Sequence, residues 1–277
     1  MLKKLLKYDF NAIFKYWWIG ALTTLALSFV GAGCGTILET EKELPPSVII
    51  FATIGMVLVV LGIFAFIIFA ELLVYVRFYK HLFTDEGYLT FTLPVKRHQI
   101  LSSKLISGFV CGLLTFIVAA ADAAIIILTT FRKDIFYDGW YYDLVTFLKE
   151  MVEESGIPYL TAFFGQLLII CLLVLILGVL FTYLCITFAG AISKKSKLAS
   201  AILIYYGASS VSSIFMYMFY FFGASSIFNW IDSLSSSNTQ DNILLIIMLL
   251  VILFITMLCT VAYTFNYRLL DRKLNLN

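Results

Sequence analysis

The chain has 277 residues, 62% of them hydrophobic and 13% charged, with a mean hydropathy of +0.99 and a formal net charge of +2. A soluble domain of that length has too little interior to hide so much apolar surface, so the composition excludes a water-soluble globular protein and points to an all-α integral membrane protein. The basic residues are spread over four separate segments and form no concentrated patch, which argues against nucleic acid as a partner.

The first element, MLKKLLKYDFNAIFKYWW, interleaves Lys3, Lys4, Lys7 and Lys15 with Leu2, Leu5, Leu6, Phe10, Ile13 and Phe14 at helical spacing. That pattern predicts an N-terminal amphipathic interfacial helix lying on the inner leaflet before the chain turns into the membrane. A secretory signal would separate its basic and apolar blocks and end at a small-residue cleavage site.

Six apolar runs follow, at residues 17–38, 48–76, 105–130, 159–192, 198–222 and 243–267, each reaching the roughly 20 residues needed to cross a bilayer core. They lack period-two alternation and are too long for barrel strands, so helices alone satisfy their backbone groups in lipid. The expectation is a single transmembrane domain over 1–277 with six transmembrane helices. The fourth run is longer than a perpendicular crossing requires and is expected to tilt, kink or extend into water.

Lys and Arg set the orientation. Fifteen basic residues flank the spans on one face, from Lys3 through Arg77 and Lys195 to Lys273, and only Lys42, Arg132, Lys133 and Lys149 lie on the other. Positive charge is retained on the cytoplasmic side during insertion, which predicts a multi-pass membrane protein with both termini cytoplasmic. The outer loops are acidic, with Glu39, Glu41 and Glu43 in the first and Asp134 to Glu154 in the second.

The second outer segment, 131–158, holds WYYDLVTFLKEMVEES, in which Leu144, Phe147, Leu148, Met151 and Val152 oppose Asp143, Lys149, Glu150, Glu153 and Glu154. This predicts an extracellular amphipathic helix between spans three and four, over 140–155, either a lid or a rider on the outer leaflet. The third outer segment is irregular and Ser-rich, with Phe228, Trp230 and Ile231 able to dip into the interface.

Catalytic chemistry is missing from the pattern. There is no G-x-x-x-x-G-K-[ST] loop, G-x-S-x-G elbow or H-E-x-x-H, and the two histidines, His81 and His98, both fall in a basic cytoplasmic loop. Cys34, Cys111, Cys171, Cys185 and Cys259 each lie within an apolar run without metal-ligand spacing, and read as reduced thiols used as small hydrophobes. The reading assigns no catalytic residue, metal site or cofactor to this chain.

Two ionisable residues lie inside spans, and such residues are functional candidates. Glu71 is near the cytoplasmic end of span two, suited to structural pairing or to coupling; Asp122, in AAADAA of span three, faces a wet cavity or bonds across helices. Gly31 and Gly35, and Gly108 and Gly112, have the spacing of close helix packing, within the bundle or between subunits. Asp122, Gln166, Tyr205, Tyr206, Ser209 and Ser210 are the candidate substrate path, an aromatic and hydroxyl-rich lining suited to amphipathic cargo.

Between spans two and three lies FYKHLFTDEGYLTFTLPVKRHQILSSKL. Thr84 is a plausible N-cap with Asp85 and Glu86 in the first turn, Gly87 keeps the helix short, and Pro94 punctuates it. A short cytoplasmic helix bearing Tyr88 and Phe91 among charges is a docking knob for a soluble partner.

The segment DEGYLTFTLPVKRHQILSSKL resembles the loop between the second and third spans of the ABC-2-type permeases, the membrane subunits of ATP-binding-cassette exporters, with Lys96 where that pattern has a small polar residue. The resemblance implies a transport subunit that is not itself an enzyme. Two permeases, here a homodimer, would pair with two separate ATPase subunits that bind ATP and Mg. Residues 84–93 would be the coupling helix, with Thr84, Asp85, Glu86, Tyr88 and Phe91 entering a cleft of the ATPase. Similar exporters move amphipathic peptides of the modulin type, bacteriocins or hydrophobic drugs, and peptide export ranks first. The alternative from another class is a non-transporting membrane scaffold whose basic loops recruit a soluble partner or anionic lipid. An ion channel would need a charged ring or a carbonyl-lined filter, for which Asp122 alone is thin support.

Overall fold

The computed structural model describes residues 2–40, 44–83, 87, 97–132, 140–192, 197–218 and 237–272. Among these the chain is helical and contains no strand. Among the described residues seven long helices follow one another: α1 (Leu2–Leu38), α2 (Pro46–Phe83), α3 (Arg97–Thr130), α4 (Trp140–Ser155), α5 (Ile157–Ile192), α6 (Lys197–Met218) and α7 (Ser237–Arg272). Five of them, α1, α2, α3, α5 and α7, are long and apolar enough to cross a membrane. The protein is therefore a multi-pass, all-helical membrane protein.

Exposed surface supports this assignment. Phe51 of α2 is 76% exposed, and Ile50, Leu58, Phe64 and Ile68 on the same helix are exposed with it. Leaving such a face in water costs roughly 25 cal/mol per Å² of apolar area, a penalty that hydrocarbon removes.

The helices extend beyond the apolar runs. Hydropathy ends where the chain meets the headgroups, but a helix continues until a breaker stops its hydrogen bonding. α2 starts at Pro46, where a missing N–H costs nothing, and passes Val76 to reach Phe83. α5 is one uninterrupted helix of 36 residues. α6 has 22 residues and contains the apolar stretch Ala199–Ile214.

One sequence expectation is corrected. No turn separates an interfacial N-terminal helix from the first span, because α1 runs unbroken for 37 residues. Residues 8–19 include neither Gly nor Pro, so nothing in them interrupts the helix. Asp9 and Ile13 on one face of this segment are buried.

The chain packs as two compact units, Met1–Arg77 with Ile106–Leu148, and Phe78–Leu105 with Lys149–Asn277. In the first, α1 packs against α2 in antiparallel order: Asp9 meets Arg77, Trp17 meets Phe66, Leu27 faces Gly62, Gly31 faces Val59 and Cys34 faces Gly55. An adjacent stripe of α1 meets α3 in parallel order. The Trp17 indole Nε1 donates to Thr115 Oγ1 at 2.9 Å, and Gly35 lies directly against Thr130. Gly31 and Gly35 thus serve packing within the chain, whereas the Gly112 face is open.

In the second unit, α5 and α7 run parallel. Cys259 Sγ approaches the Leu173 carbonyl at 3.9 Å, and one turn-pair further on Asn266 Nδ2 donates to the Leu180 carbonyl at 3.1 Å. Asn266 Oδ1 also accepts from Thr187 at 2.9 Å, so its amide is fully used inside the seam. α4 ends at Gly156, whose φ of 80° is the left-handed cap that lets α5 begin at once.

Candidate functional site

The thirteen residues 84–96 join α2 to α3. Thr84, Asp85, Glu86, Tyr88 and Phe91, the expected coupling residues, lie outside the described residues. Their two flanks are described, and both belong to the second unit. Phe78, at the end of α2, stacks on Tyr183 of α5 with centroids 3.8 Å apart and planes 7° from parallel. Five residues later, the Phe83 ring fills the space beside Gly190, where a Cβ would overlap it. Phe78, Leu82 and Phe83 are buried.

The α3 flank is held as firmly. Tyr183 Oη donates to the Lys104 carbonyl at 2.9 Å, so one aromatic side chain touches both sides of the loop. Arg97 Nη1 donates to the Leu270 carbonyl at 3.2 Å, near the C-terminal end of α7, where a cation suits the exposed carbonyls. Ile100, Leu101, Ser103 and Lys104 are buried, and Lys104 is only 2% exposed. His98 Nδ1 lies 3.4 Å from both Ser102 Oγ and Tyr263 Oη, on an exposed side of the same junction.

Of the candidate path residues, Asp122 belongs to the first unit, Gln166, Tyr205, Tyr206, Ser209 and Ser210 to the second. Tyr205 packs near Phe181 at 6.1 Å, whereas Tyr206 is 65% exposed. Ser209 and Ser210 both donate to the Tyr206 carbonyl, at 3.0 and 2.7 Å, so their hydrogens are spent on their own helix. Gln166 presents a buried Oε1 that accepts no hydrogen bond.

Asp122 is buried in the seam between α1 and α3, at 0% exposure. The hydroxyls of Ser28 and Thr24 lie beside its carboxylate. Neither carboxylate oxygen completes a hydrogen bond; Ser28 donates to the Leu25 carbonyl at 2.8 Å and Thr24 to the Ala21 carbonyl at 3.1 Å. Glu71, the other ionisable residue within a span, is exposed.

Among the buried polar residues that sequence reasoning missed are Asp9, Lys104 and Asn266, and the hydroxyls of Thr24 and Ser28. Asn266 carries a signal, an amide in an otherwise apolar helical stretch, which in a membrane calls for a partner on a neighbouring helix. Asp9 and Lys104 sit among ordinary flanking charges and carry none.

No family model matches this chain, and neither the curated proteins nor the solved structures contain one significantly similar to it.

Proposed function

We propose that this chain is the permease subunit of an ATP-binding-cassette exporter in the bacterial plasma membrane. The reading rests on the DEGYLTFTLPVKRHQILSSKL segment, and one structural observation favours it: the segment's two flanks are clamped to the α5–α7 pair through Tyr183, Gly190 and Leu270. A loop anchored in this way transmits a push to transmembrane helices, because stacked rings and buried hydrogen bonds deform little. Thr84, Asp85, Glu86, Tyr88 and Phe91 are the proposed contacts with a separate ATPase, which binds ATP and Mg. A few aromatic anchors seated in a pocket make such a joint stiff.

Six spans fit this role better than five. Since α5 and α7 run parallel, a return crossing between them is needed, and α6 is the proposed one. At about 1.5 Å per residue its 22 residues reach roughly 33 Å. An even number of spans leaves both termini on one side, which the Lys and Arg bias makes cytoplasmic. A second copy completes the transport path, and the cargo is an amphipathic peptide. α4, with Phe147 and Val152 exposed, rides on the outer leaflet.

The test is co-purification with candidate ATPases in lipid nanodiscs, comparing the wild type with the double change Asp85→Lys, Glu86→Lys. Retention of an ATPase by the wild type, with its ATP hydrolysis lost or uncoupled in the double variant, supports the reading. Absence of any ATPase, or indifference to charge reversal, moves the scaffold reading forward.

A further inference from the structure

The seam between α1 and α3 in the first unit holds a buried polar arrangement around Asp122 that has no part in the proposed coupling to an ATPase. Three polar side chains, Thr24, Ser28 and Asp122, are buried there among apolar neighbours. Thr24 and Ser28 are four residues apart on α1, and so share one face of the helix. Above them Gly35 lets α3 approach closely at Thr130, and below them Trp17 is tied to Thr115, so the seam is closed at both ends.

What matters is where the hydrogens point. The Ser28 and Thr24 hydroxyls each have one hydrogen, and each directs it to a carbonyl of its own helix. A hydroxyl oxygen also has lone pairs, and these are what remain for the carboxylate beside it. Two carboxylate oxygens and two hydroxyl oxygens thus share a buried space, and neither carboxylate oxygen completes a hydrogen bond in it. An ionised, unpaired carboxylate in such a place costs far more than any neighbouring contact returns. Carboxylates in this situation are neutralised by a bound positive charge.

Within the apolar stretches of α1, α2 and α3 no side chain supplies that charge. α1 has no ionisable residue between Tyr16 and Cys34, α2 none from Pro46 to Ala70, and α3 none besides Asp122 between Cys111 and Arg132. Among the described residues no three His, Cys, Asp or Glu side chains converge on a metal-sized site. A single carboxylate with neutral hydroxyl oxygens matches one positive charge, and hard oxygen ligands suit a small alkali ion or a proton.

We propose that Asp122, Ser28 and Thr24 form a binding site for a small monovalent cation, Na+ or a proton, that fastens α3 to α1. With the cation bound, the oxygens are bridged and the seam is closed; without it the carboxylate repels the lone pairs facing it and the helices separate. The site depends on the first unit alone, and its failure would leave the exporter reading untouched.

The experiment is thermal unfolding of the full chain in nanodiscs of neutral lipid, in NaCl or in choline chloride at equal ionic strength, between pH 5 and pH 8. Sodium binding raises the midpoint by roughly 2–4 °C in NaCl at pH 8. Proton binding instead raises it on acidification in choline chloride, with an infrared carboxylic C=O band that Asp122→Asn removes. In either case Asp122→Asn abolishes the response. Ser28→Ala lowers the sodium response while leaving the chain folded, and serves as the second variant should Asp122→Asn misfold. Equal responses of wild type and Asp122→Asn to both cations, or no response of the wild type to either, overturns the proposal.

Discussion

Tyr183 binds Phe78 and Lys104 at once: its ring stacks on the Phe78 ring at 3.8 Å and its hydroxyl donates to the Lys104 carbonyl at 2.9 Å. Phe78 precedes the 84–96 segment and Lys104 follows it, so α5 closes a loop whose ends belong to different helices. The ring supplies dispersion and buried area, the hydroxyl a directional bond.

These two contributions separate by mutation. Tyr183→Phe keeps the stack and loses the bond, leaving a buried carbonyl one partner short, with an expected cost of about 1–2 kcal/mol. Tyr183→Ala loses both, and a large aromatic truncated in a packed site costs roughly 3–5 kcal/mol. Denaturant titration of the purified protein should therefore rank wild type, Phe and Ala in that order. A Phe variant as weak as Ala would place the whole effect in the hydroxyl.

Gly35 and Gly112 make a paired test of the glycine spacings. A Cβ at Gly35 would meet Thr130 directly, while one at Gly112 would meet nothing within 4 Å. Gly35→Ala should force α1 and α3 apart or tilt Thr130 off its rotamer, costing about 1–3 kcal/mol. Gly112→Ala should be neutral or slightly stabilising, since alanine favours the helix. Thermal midpoints of the two single variants decide it, and Thr130→Ala should recover part of the Gly35→Ala loss.

The helices were legible from sequence because lipid leaves long apolar runs, and the bounds of α4 follow directly from its amphipathic pattern. Their ends were not legible. Apolarity stops at the bilayer edge, while α1 begins at Leu2 and α2 continues to Phe83 because no breaker intervenes. Burial of flanking charges was hidden as well: Lys104 and Asp9 are charged residues at span ends, as the exposed Lys80 and Lys7 are, and only the approach of another helix distinguishes them. Ser209 and Ser210 illustrate a further limit. A hydroxyl in a helix has two uses, lining a path or bonding back to its own backbone, and the letter S does not tell them apart.

Asn266 should be the strongest single polar contribution to the α5–α7 seam. Its amide donates to the Leu180 and Ala262 carbonyls, both at 3.1 Å, and its oxygen accepts from Thr187 at 2.9 Å. Asn266→Leu is close in volume but removes all three, and interhelical hydrogen bonds in membranes are worth about 0.6 to 1.7 kcal/mol each. A loss of roughly 1–2 kcal/mol is expected in denaturant titration. Asn266→Asp should be worse, since a carboxylate has no hydrogen for the Leu180 carbonyl and places charge in an apolar seam. Thr187→Val should lose less than either, and combining it with Asn266→Leu should add little, because the two share one bond.

Asp9 and Arg77 carry the last prediction, on the pairing of α1 with α2. Arg77 Nε lies 3.5 Å from Asp9 Oδ1, with the Asp9 side chain 2% and the Arg77 side chain 24% exposed. An ion pair sunk this far into protein is screened little by salt, unlike a surface pair. Removing one member is costly because the buried partner keeps its charge, whereas replacing both is far milder. Arg77→Gln alone should therefore destabilise by about 2–4 kcal/mol, and Asp9→Asn with Arg77→Gln by clearly less than the sum of the singles. A double-mutant cycle measured at low and at high salt distinguishes the cases. A coupling energy that persists at high salt identifies a buried clasp holding the amphipathic start of α1 against α2. A coupling that vanishes would make the pair a surface contact, and the burial of Asp9 would then need another partner to explain it.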